Sequence, residues 1–420
     1  MNGSGPERRI DAVFSAAVFA VGLAASLAFL YWYPLPAPKY DADLYFRIAR
    51  NVAAGKGFTV DGIHPYASVP PLFASLLGMW FRLAGDSIFA AVVFQSLVHA
   101  LSSVAAYLLF RAMPCTPPLS FFLSLVVALQ PMLLTRVAFI LQEPTILLCT
   151  TSALCATAVW LRGQTDRWAC ASGFLWGIAS LAKAVTLFVL PFAFVYRLVR
   201  GRDGRRTALR QAVLFSLLFL AVLTPWTVRN YIWFHRLIPI SEVGGALHLW
   251  RLSGAVQAGS TSQGTGPVVL NRREGSWDQR IVALMRKANP YLGNFPVDRV
   301  ARYAIDFTGP ARDWWWERGR YGPGEEREWY WAVHDIFHRF LYLLLLVLVF
   351  RTVRGKLSAQ KGFVALFCFL YWIEYSFILG IPRYAVPLYP ALLALLIPSP
   401  GKRPVPLLGE YASLPDRENP

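Results

Sequence analysis

Charged side chains are scarce in this sequence. Only 15% of the 420 residues are Asp, Glu, Lys or Arg, whereas soluble domains carry about 25%. Acidic and basic residues are absent from five long stretches: 12–38, 87–110, 112–135, 211–228 and 384–401. Runs of about 20 apolar residues are long enough to cross the hydrocarbon core of a bilayer. The composition therefore excludes an ordinary water-soluble globule and predicts an all-α polytopic membrane protein.

Acidic residues are fewer than basic ones, 24 against 41, and the net charge is +17. On the spans proposed below, 18 of the 41 basic residues lie in short segments on one side of the membrane. This positive-inside bias orients membrane helices, so the charge does not indicate a nucleic-acid partner. Arg8 and Arg9 precede the first apolar run and predict an uncleaved signal anchor. Cysteine is also rare, with five residues and none between 229 and 332, so no disulfide framework is predicted.

The hydropathy pattern predicts about ten transmembrane helices with both termini in the cytoplasm. The proposed spans are 11–33, 86–110, 117–135, 143–161, 168–182, 185–199, 210–228, 333–350, 362–380 and 384–399. We divide the chain into a transmembrane module, a long outer segment, C-terminal helices and a disordered cytoplasmic tail: 1–228, 229–332, 333–399 and 400–420. The first outer loop, 34–85, should hold a helix ended by Gly55 and Gly57, followed by a short juxtamembrane helix from about Pro70 to Leu83.

Signatures of nucleotide binding are lacking. Gly55-Lys56-Gly57 does not have the spacing of a P-loop, and no glycine-rich turn follows a strand. The informative residues are instead ionisable side chains at the predicted outer ends of helices, because membrane burial disfavours charge. These residues are Asp41, Asp43, Arg136, Glu143, Lys183, Arg229, Glu374 and Arg383. A carboxylate can accept the proton of an attacking hydroxyl, and Arg or Lys can hold a departing phosphate. The set is therefore suited to transferring a group from a lipid phosphate.

Several motifs occur in one order along nearly the whole chain. They are Asp41-Ala-Asp43-Leu-Tyr45-Phe-Arg47, Pro70-Pro71-Leu72-Phe73, Gln142-Glu143-Pro144, Gly177-Ile-Ala-Ser-Leu181-Ala-Lys183, Pro225-Trp226-Thr-Val-Arg229-Asn230-Tyr231 and Arg383-Tyr384-x-x-Pro387-x-x-Pro390. Together they resemble the polyprenyl-phosphate-dependent glycosyltransferases of the GT-C superfamily. The bacterial branch of glycosyltransferase family 39, with protein mannosyltransferases and the aminoarabinose transferase of lipid A, is the nearest resemblance.

The resemblance implies a GT-C-like helical bundle and an inverting transfer of a sugar from a polyprenyl-phosphate donor. It places the general base at Asp41, four residues before Tyr45, with Asp43 as a second candidate. The family often has its second acid or amide directly after the first, whereas Ala42 intervenes here. Lys183, Arg229 and Arg383 are the candidates for holding the donor phosphate.

The remaining ionisable candidates are assigned to positioning. The residues that would orient a substrate or a cation are Glu143, Arg136, Tyr45 and Glu374. A divalent cation, Mg²⁺ or Mn²⁺, is left open as a cofactor. The expected partners are the lipid-linked donor, membrane lipids and a protein, lipid or glycan acceptor. The expected location is a bacterial plasma membrane with the site on its extracytoplasmic face.

Other functions compete with the glycosyltransferase. A transporter or flippase of a lipid-linked saccharide would also need basic and aromatic residues, but should show repeats and broken helices near the bilayer midplane. An intramembrane protease would need a complete catalytic set, which His334 and His338, one helical turn apart, do not supply. A non-catalytic assembly factor is the third alternative, and it requires that the acids do not converge.

Overall fold

A computed structural model describes most of the transmembrane chain. The described residues are 5–32, 38, 41–163, 165–201, 204–242, 336, 340, 343–351, 357–378 and 382–397. Most of the predicted long outer segment, the histidine pair and the predicted disordered tail lie outside them.

The described residues are almost entirely helical, and no strand occurs among them. The α-helices are α1 (Gly5–Trp32), α2 (Asp41–Ala53), α3 (Leu72–Ala84), α4 (Ile88–Ala112), α5 (Pro117–Ala128), α6 (Pro131–Ala138), α7 (Glu143–Gly163), α8 (Asp166–Ala182), α9 (Val189–Arg200), α10 (Arg205–Phe234), α11 (Ala359–Ile378) and α12 (Leu388–Leu396). Short 3-10 turns cover Ala184–Phe188 and Pro382–Ala385, and residues 343–351 are also helical. The predicted all-α fold class is confirmed.

Four of these helices, α1, α4, α7 and α10, are long and apolar enough to cross a membrane. Each coincides with a span predicted from hydropathy. The two helices predicted in the first outer loop are also present as α2 and α3. The total of about ten crossings stays a prediction, because several of the remaining helices are short.

The predicted third span, 117–135, is bent. It consists of α5 and α6, whose axes differ by 48° and which would make a fifth crossing if counted together. Pro131 begins α6, and the preceding Gln130 is extended (φ −68°, ψ 119°) and accepts a hydrogen bond from the Leu133 N–H with its side chain. Proline disfavours the α conformation in the residue before it, which accounts for the break.

α8 packs closely on α10 through two glycines one helical turn apart. A Cβ atom on Gly173 would lie 2.1 Å from the Phe215 carbonyl oxygen, and one on Gly177 would lie 2.8 Å from Val222 Cβ. Small residues at this spacing let two membrane helices approach backbone to backbone. This contact sets the relative position of Lys183, which follows α8, and of Arg229 near the end of α10.

Opposite charges are paired at the other end of the bundle. Arg111 Nε lies 2.8 Å from the Asp11 carboxylate, which also accepts a hydrogen bond from the Tyr107 hydroxyl at 2.5 Å. Arg210, at the start of α10, pairs with Asp166 at 3.0 Å. These pairs neutralise part of the basic surface that the sequence places on the inner side, away from the candidate site.

Candidate active site

Asp41 is the first residue of α2, and its side chain is exposed. Ala42 beside it is buried against Phe139 and Leu141, in the turn between α6 and α7. The fold therefore brings the beginning of the first outer loop onto the turn that leads to Glu143. This contact brings the segments of two of the motifs together.

The other two candidates on α2 have different surroundings. Asp43 is half-exposed and lies 4.0 Å from Arg47, one helical turn further on. Tyr45 is buried and packs edge-to-face on Phe73 of α3, with ring centroids 5.2 Å apart. Tyr45 therefore fixes α2 on α3, and its predicted contact with a substrate stays a prediction.

The turn between α6 and α7 is tight and buried. Ile140 has a positive φ of 54°, which is unfavourable for a β-branched residue. Gln95 of α4 donates a hydrogen bond to the Leu141 carbonyl and so ties the turn to the bundle. Strained backbone of this kind occurs where the surrounding structure imposes it, often at functional sites.

The two ionisable candidates flanking this turn are both nearly inaccessible. Arg136, in the last turn of α6, is 3% exposed, and Glu143, the first residue of α7, is 2% exposed. A carboxylate at a helix N-terminus is favoured by the helix dipole. Glu143 is therefore placed as a fixed internal group, in contrast to the exposed Asp41.

Lys183 lies in the break between α8 and the following 3-10 turn. Its backbone is extended, and its ammonium nitrogen is 4.2 Å from the centre of the Tyr384 ring. Tyr384 in turn stacks on Tyr375 at 4.9 Å, and Tyr375 lies 4.9 Å from Tyr371. A cation over an aromatic face is stabilised by the ring quadrupole, so this row of tyrosines holds the ammonium in place.

The helix that carries Tyr371, Glu374 and Tyr375 is α11, and it packs on α7, which begins with Glu143. Glu374 is half-buried on α11. The backbone of Arg383 precedes Tyr384 in the 3-10 turn Pro382–Ala385, and its side chain lies outside the described part of the structure. The helices α7, α8 and α11 thus contribute to one polar group around the tyrosines.

Arg229 contacts the first outer loop. Its Nη1 donates to the Tyr66 carbonyl at 2.9 Å, and its Nη2 donates to the Phe58 carbonyl at 3.1 Å. The guanidinium also lies over the Trp226 ring, 4.6 Å from its centre. The predicted role of Arg229 as a phosphate ligand stays a prediction, but the described contacts are those of an anchor for the loop.

Two residues that the sequence analysis did not single out, Tyr66 and Glu242, lie where the two outer segments meet. Burial raises the pKa of Tyr66, and the nearby Glu242 and Asp41 carboxylates raise it further, while a hydrogen bond with Ser68 lowers it. The backbone N–H of Glu242 donates to the Ala67 carbonyl at 3.0 Å, which fixes it next to Tyr66. Burial also raises the pKa of Glu242, against the influence of Arg236. The available signal in the sequence was the position of Glu242 as the first acidic residue after the predicted span 210–228.

Groups of three or more His, Cys, Asp or Glu side chains that could hold a metal ion do not occur among the described residues. The described donor set does not fit a metal cage built by the protein alone.

Residues 68–228 match the family model of dolichyl-phosphate-mannose-protein mannosyltransferases. A search among curated proteins gives no match.

Two solved structures of an archaeal oligosaccharyltransferase from Archaeoglobus fulgidus are similar in fold. The enzyme AglB, in complex with an inhibitory peptide and a dolichol-phosphate, aligns with a TM-score of 0.56 and 14% identity over 91% of this chain. The oligosaccharyltransferase tethered to an acceptor peptide containing the NVT sequon aligns with a TM-score of 0.54 and 14% identity, again over 91%. This chain spans about half the length of either one, 50% and 49%. The resemblance to protein mannosyltransferases, stated from the motifs, is confirmed over residues 68–228 by the family match, and the two structures are similar to this chain in fold.

Proposed function

We propose that this chain is a membrane glycosyltransferase that moves a sugar from a polyprenyl-phosphate donor to an acceptor outside the cytoplasm. The match to the mannosyltransferase family and the GT-C fold support the enzyme class. The observation that carries the site assignment is the packing of Ala42 on Phe139 and Leu141, because it brings exposed Asp41 to the turn before Glu143.

Asp41 acts as the general base in this proposal. Its side chain is exposed at the start of α2, where an acceptor hydroxyl can reach it. The acceptor oxygen forms a bond to C1 of the sugar while the bond from C1 to the phosphate oxygen breaks. The phosphate leaves with the electron pair, the acceptor proton passes to Asp41, and the single displacement inverts C1. Charge on the ring develops as in other glycosyl transfers.

Lys183 stabilises the leaving phosphate. Its ammonium is fixed over Tyr384, so its charge is already in place when negative charge develops on the phosphate oxygen. Arg383 adjoins Tyr384 in the chain and is the second candidate for this role. A lipid-linked donor needs no nucleotide fold, because it reaches such a site sideways from the bilayer.

Glu143 and Glu374 orient substrate groups near the tyrosine row in this scheme. Glu374 lies on α11 with Tyr371 and Tyr375, and Glu143 is almost completely buried at the start of α7. If Mg²⁺ or Mn²⁺ takes part, these carboxylates would supply only part of its ligands and the donor phosphate the remainder.

The transporter hypothesis has one feature in its favour, the bend of 48° between α5 and α6. Broken helices are common in transporters. The two hypotheses differ in outcome, because a transporter moves the intact lipid-linked sugar and a glycosyltransferase separates the sugar from the lipid phosphate.

The test is reconstitution of the purified protein in liposomes containing a polyprenyl-phosphate sugar labelled in the sugar. We expect the label to pass to a supplied peptide, lipid or glycan acceptor, or slowly to water, and Asp41→Asn to lower the kcat of this transfer by about 10²- to 10⁴-fold. Asp61→Asn is the matched control, since Asp61 is a carboxylate of the same loop whose partner is His64, with an Oδ2···Nδ1 distance of 2.6 Å. Movement of intact labelled lipid across the bilayer without cleavage would contradict the proposal.

A further inference from the structure

The outer end of α10 holds the backbone of the segment that follows it. Trp226 Nε1 donates to the Ile240 carbonyl at 2.7 Å, and Asn230 Nδ2 donates to the Ile238 carbonyl at 2.9 Å. Asn230 is fully buried. The chain therefore turns back after α10 and runs along the helix end before it reaches Glu242.

Arg229 binds the first outer loop at the same place. Its two carbonyl acceptors, Phe58 and Tyr66, are themselves joined by a hydrogen bond from the Tyr66 N–H to the Phe58 carbonyl at 3.0 Å. An antiparallel bridge between Thr59 and Pro65 lies just inside this pair. Arg229 thus grips both ends of the closed segment 58–66.

Hydrogen bonds and a ring contact fix the orientation of the Arg229 guanidinium. Asn230 Oδ1 accepts a hydrogen bond from Arg229 Nη1 at 2.8 Å, so both Nη1 hydrogens have acceptors inside the protein. Trp226 lies beneath the guanidinium and packs edge-to-face on Phe58, with ring centroids 5.0 Å apart. A planar fork can bridge two carbonyls at fixed positions, whereas the ammonium of lysine is a single point charge.

The two outer segments also meet each other. The Glu242 N–H donates to the Ala67 carbonyl, one residue beyond Tyr66. Asn51 of α2 donates to the Thr59 and Val60 carbonyls at 3.0 and 3.1 Å, so the first of these segments also lies on the helix that begins with Asp41. The end of α10 therefore determines how the proposed base and the two outer segments are placed relative to one another.

We propose that Arg229 is a positioning residue, which holds segment 58–66 against α2, the helix that begins with Asp41, and that it does not bind the donor phosphate. This inference rests on the proposed function for its kinetic consequence. The hold of Arg229 on segment 58–66, which we call the clamp, can be measured without it.

The kinetic test compares Arg229→Lys and Arg229→Gln with the wild-type chain. Holding two carbonyls at once requires the planar guanidinium of arginine, so both variants should lower kcat by about 10- to 100-fold, as a displacement of about 1 Å at a site can do. The donor KM should stay within about twofold of the wild-type value. Arg82→Gln is the control for loss of positive charge, since Arg82 is exposed on α3. If Arg229→Lys keeps the wild-type kcat and only raises the donor KM, Arg229 is a phosphate ligand and the proposal is wrong.

A second measurement does not depend on catalysis. Lys56 is an exposed trypsin site two residues before segment 58–66. Loosening that segment should increase the rate of cleavage after Lys56 in both Arg229 variants but not in Arg82→Gln. Faster cleavage with no transfer by any protein, wild type included, would support the clamp while contradicting the proposed function. Unchanged cleavage in Arg229→Lys, which keeps the charge and is the variant expected to fold most readily, would overturn the clamp.

Discussion

Replacing Gly173 with alanine should separate α8 from α10. The added Cβ would lie 2.1 Å from the Phe215 carbonyl oxygen and 2.9 Å from Phe215 Cα. Real Cβ atoms essentially never approach another heavy atom within 3.0 Å, and backbone atoms cannot rotate aside as a side chain can. α8 must therefore move by about 1 Å, and overpacking of this kind costs about 1–3 kcal/mol. Lys183, which follows α8, moves with it.

The matched control is Gly163→Ala. Gly163 is the last residue of α7 and has no atom within 4 Å of the position where a Cβ would be added. Alanine is the better helix former by about 1 kcal/mol, so the control measures that gain, and the difference between the two variants isolates the clash.

Thermal unfolding of the detergent-solubilised protein is the assay for stability, and transfer of labelled sugar is the assay for function. We expect Gly163→Ala to match or exceed the wild type, and Gly173→Ala to unfold at a lower temperature and to lose transfer activity. Equal unfolding temperatures for the two variants would refute the reasoning, because they would mean that α8 and α10 are not in backbone contact at Gly173.

Three further predictions concern individual side chains. Asp41→Asn should lower kcat by about 10²- to 10⁴-fold with little change in unfolding temperature, since the side chain is exposed; a stable variant with full activity would exclude Asp41 as the base. Lys183→Gln should reduce transfer more than Lys183→Arg, which keeps a cation over Tyr384; equal losses, measured with labelled donor, would argue against phosphate stabilisation. Glu242 has a pKa raised above its ordinary 4.5 by burial, so the folded state favours its protonated form. Its contribution to stability is therefore present below about pH 4.5 and lost as pH rises through the folded value. Glu242→Gln should therefore lack this pH-dependent loss of stability. If unfolding curves measured across this pH range showed the same loss of stability in the wild type and in Glu242→Gln, the assignment would be contradicted.

The main helices could be predicted from the sequence because membrane burial leaves a simple signal. Long uncharged runs mark α4, α7 and α10, and the break at Lys183 appears where a charge interrupts an apolar pair of segments. α10 extends beyond its predicted span of 210–228 at both ends, because a helix continues into polar residues that hydropathy does not count.

The bend between α5 and α6 was not predicted. Apolar content is the same for a straight and a broken span, so hydropathy joined them into 117–135. Pro131 was the available local signal. A proline in a membrane helix is often tolerated, however, so the proline by itself does not determine a break.

The candidate site was predictable where it followed motifs and unpredictable where it depends on contacts between loops. Asp41 and Glu143 were singled out, and the structure links their segments through Ala42. Tyr66 and Glu242 were not, because their positions depend on carbonyl groups bound by distant side chains. A backbone carbonyl is present in every residue, so such contacts leave no pattern in the sequence.

The return of the chain along the end of α10 determines where chimaeras with proteins of similar fold should be joined. A junction at the helix end, after Phe234, would replace the stretch whose Ile238 and Ile240 carbonyls are bonded by the helix. A junction after Glu242 would leave those bonds and the contact with Ala67 intact. A junction after Glu242 therefore keeps the backbone contacts at the end of α10 that a junction after Phe234 would lose.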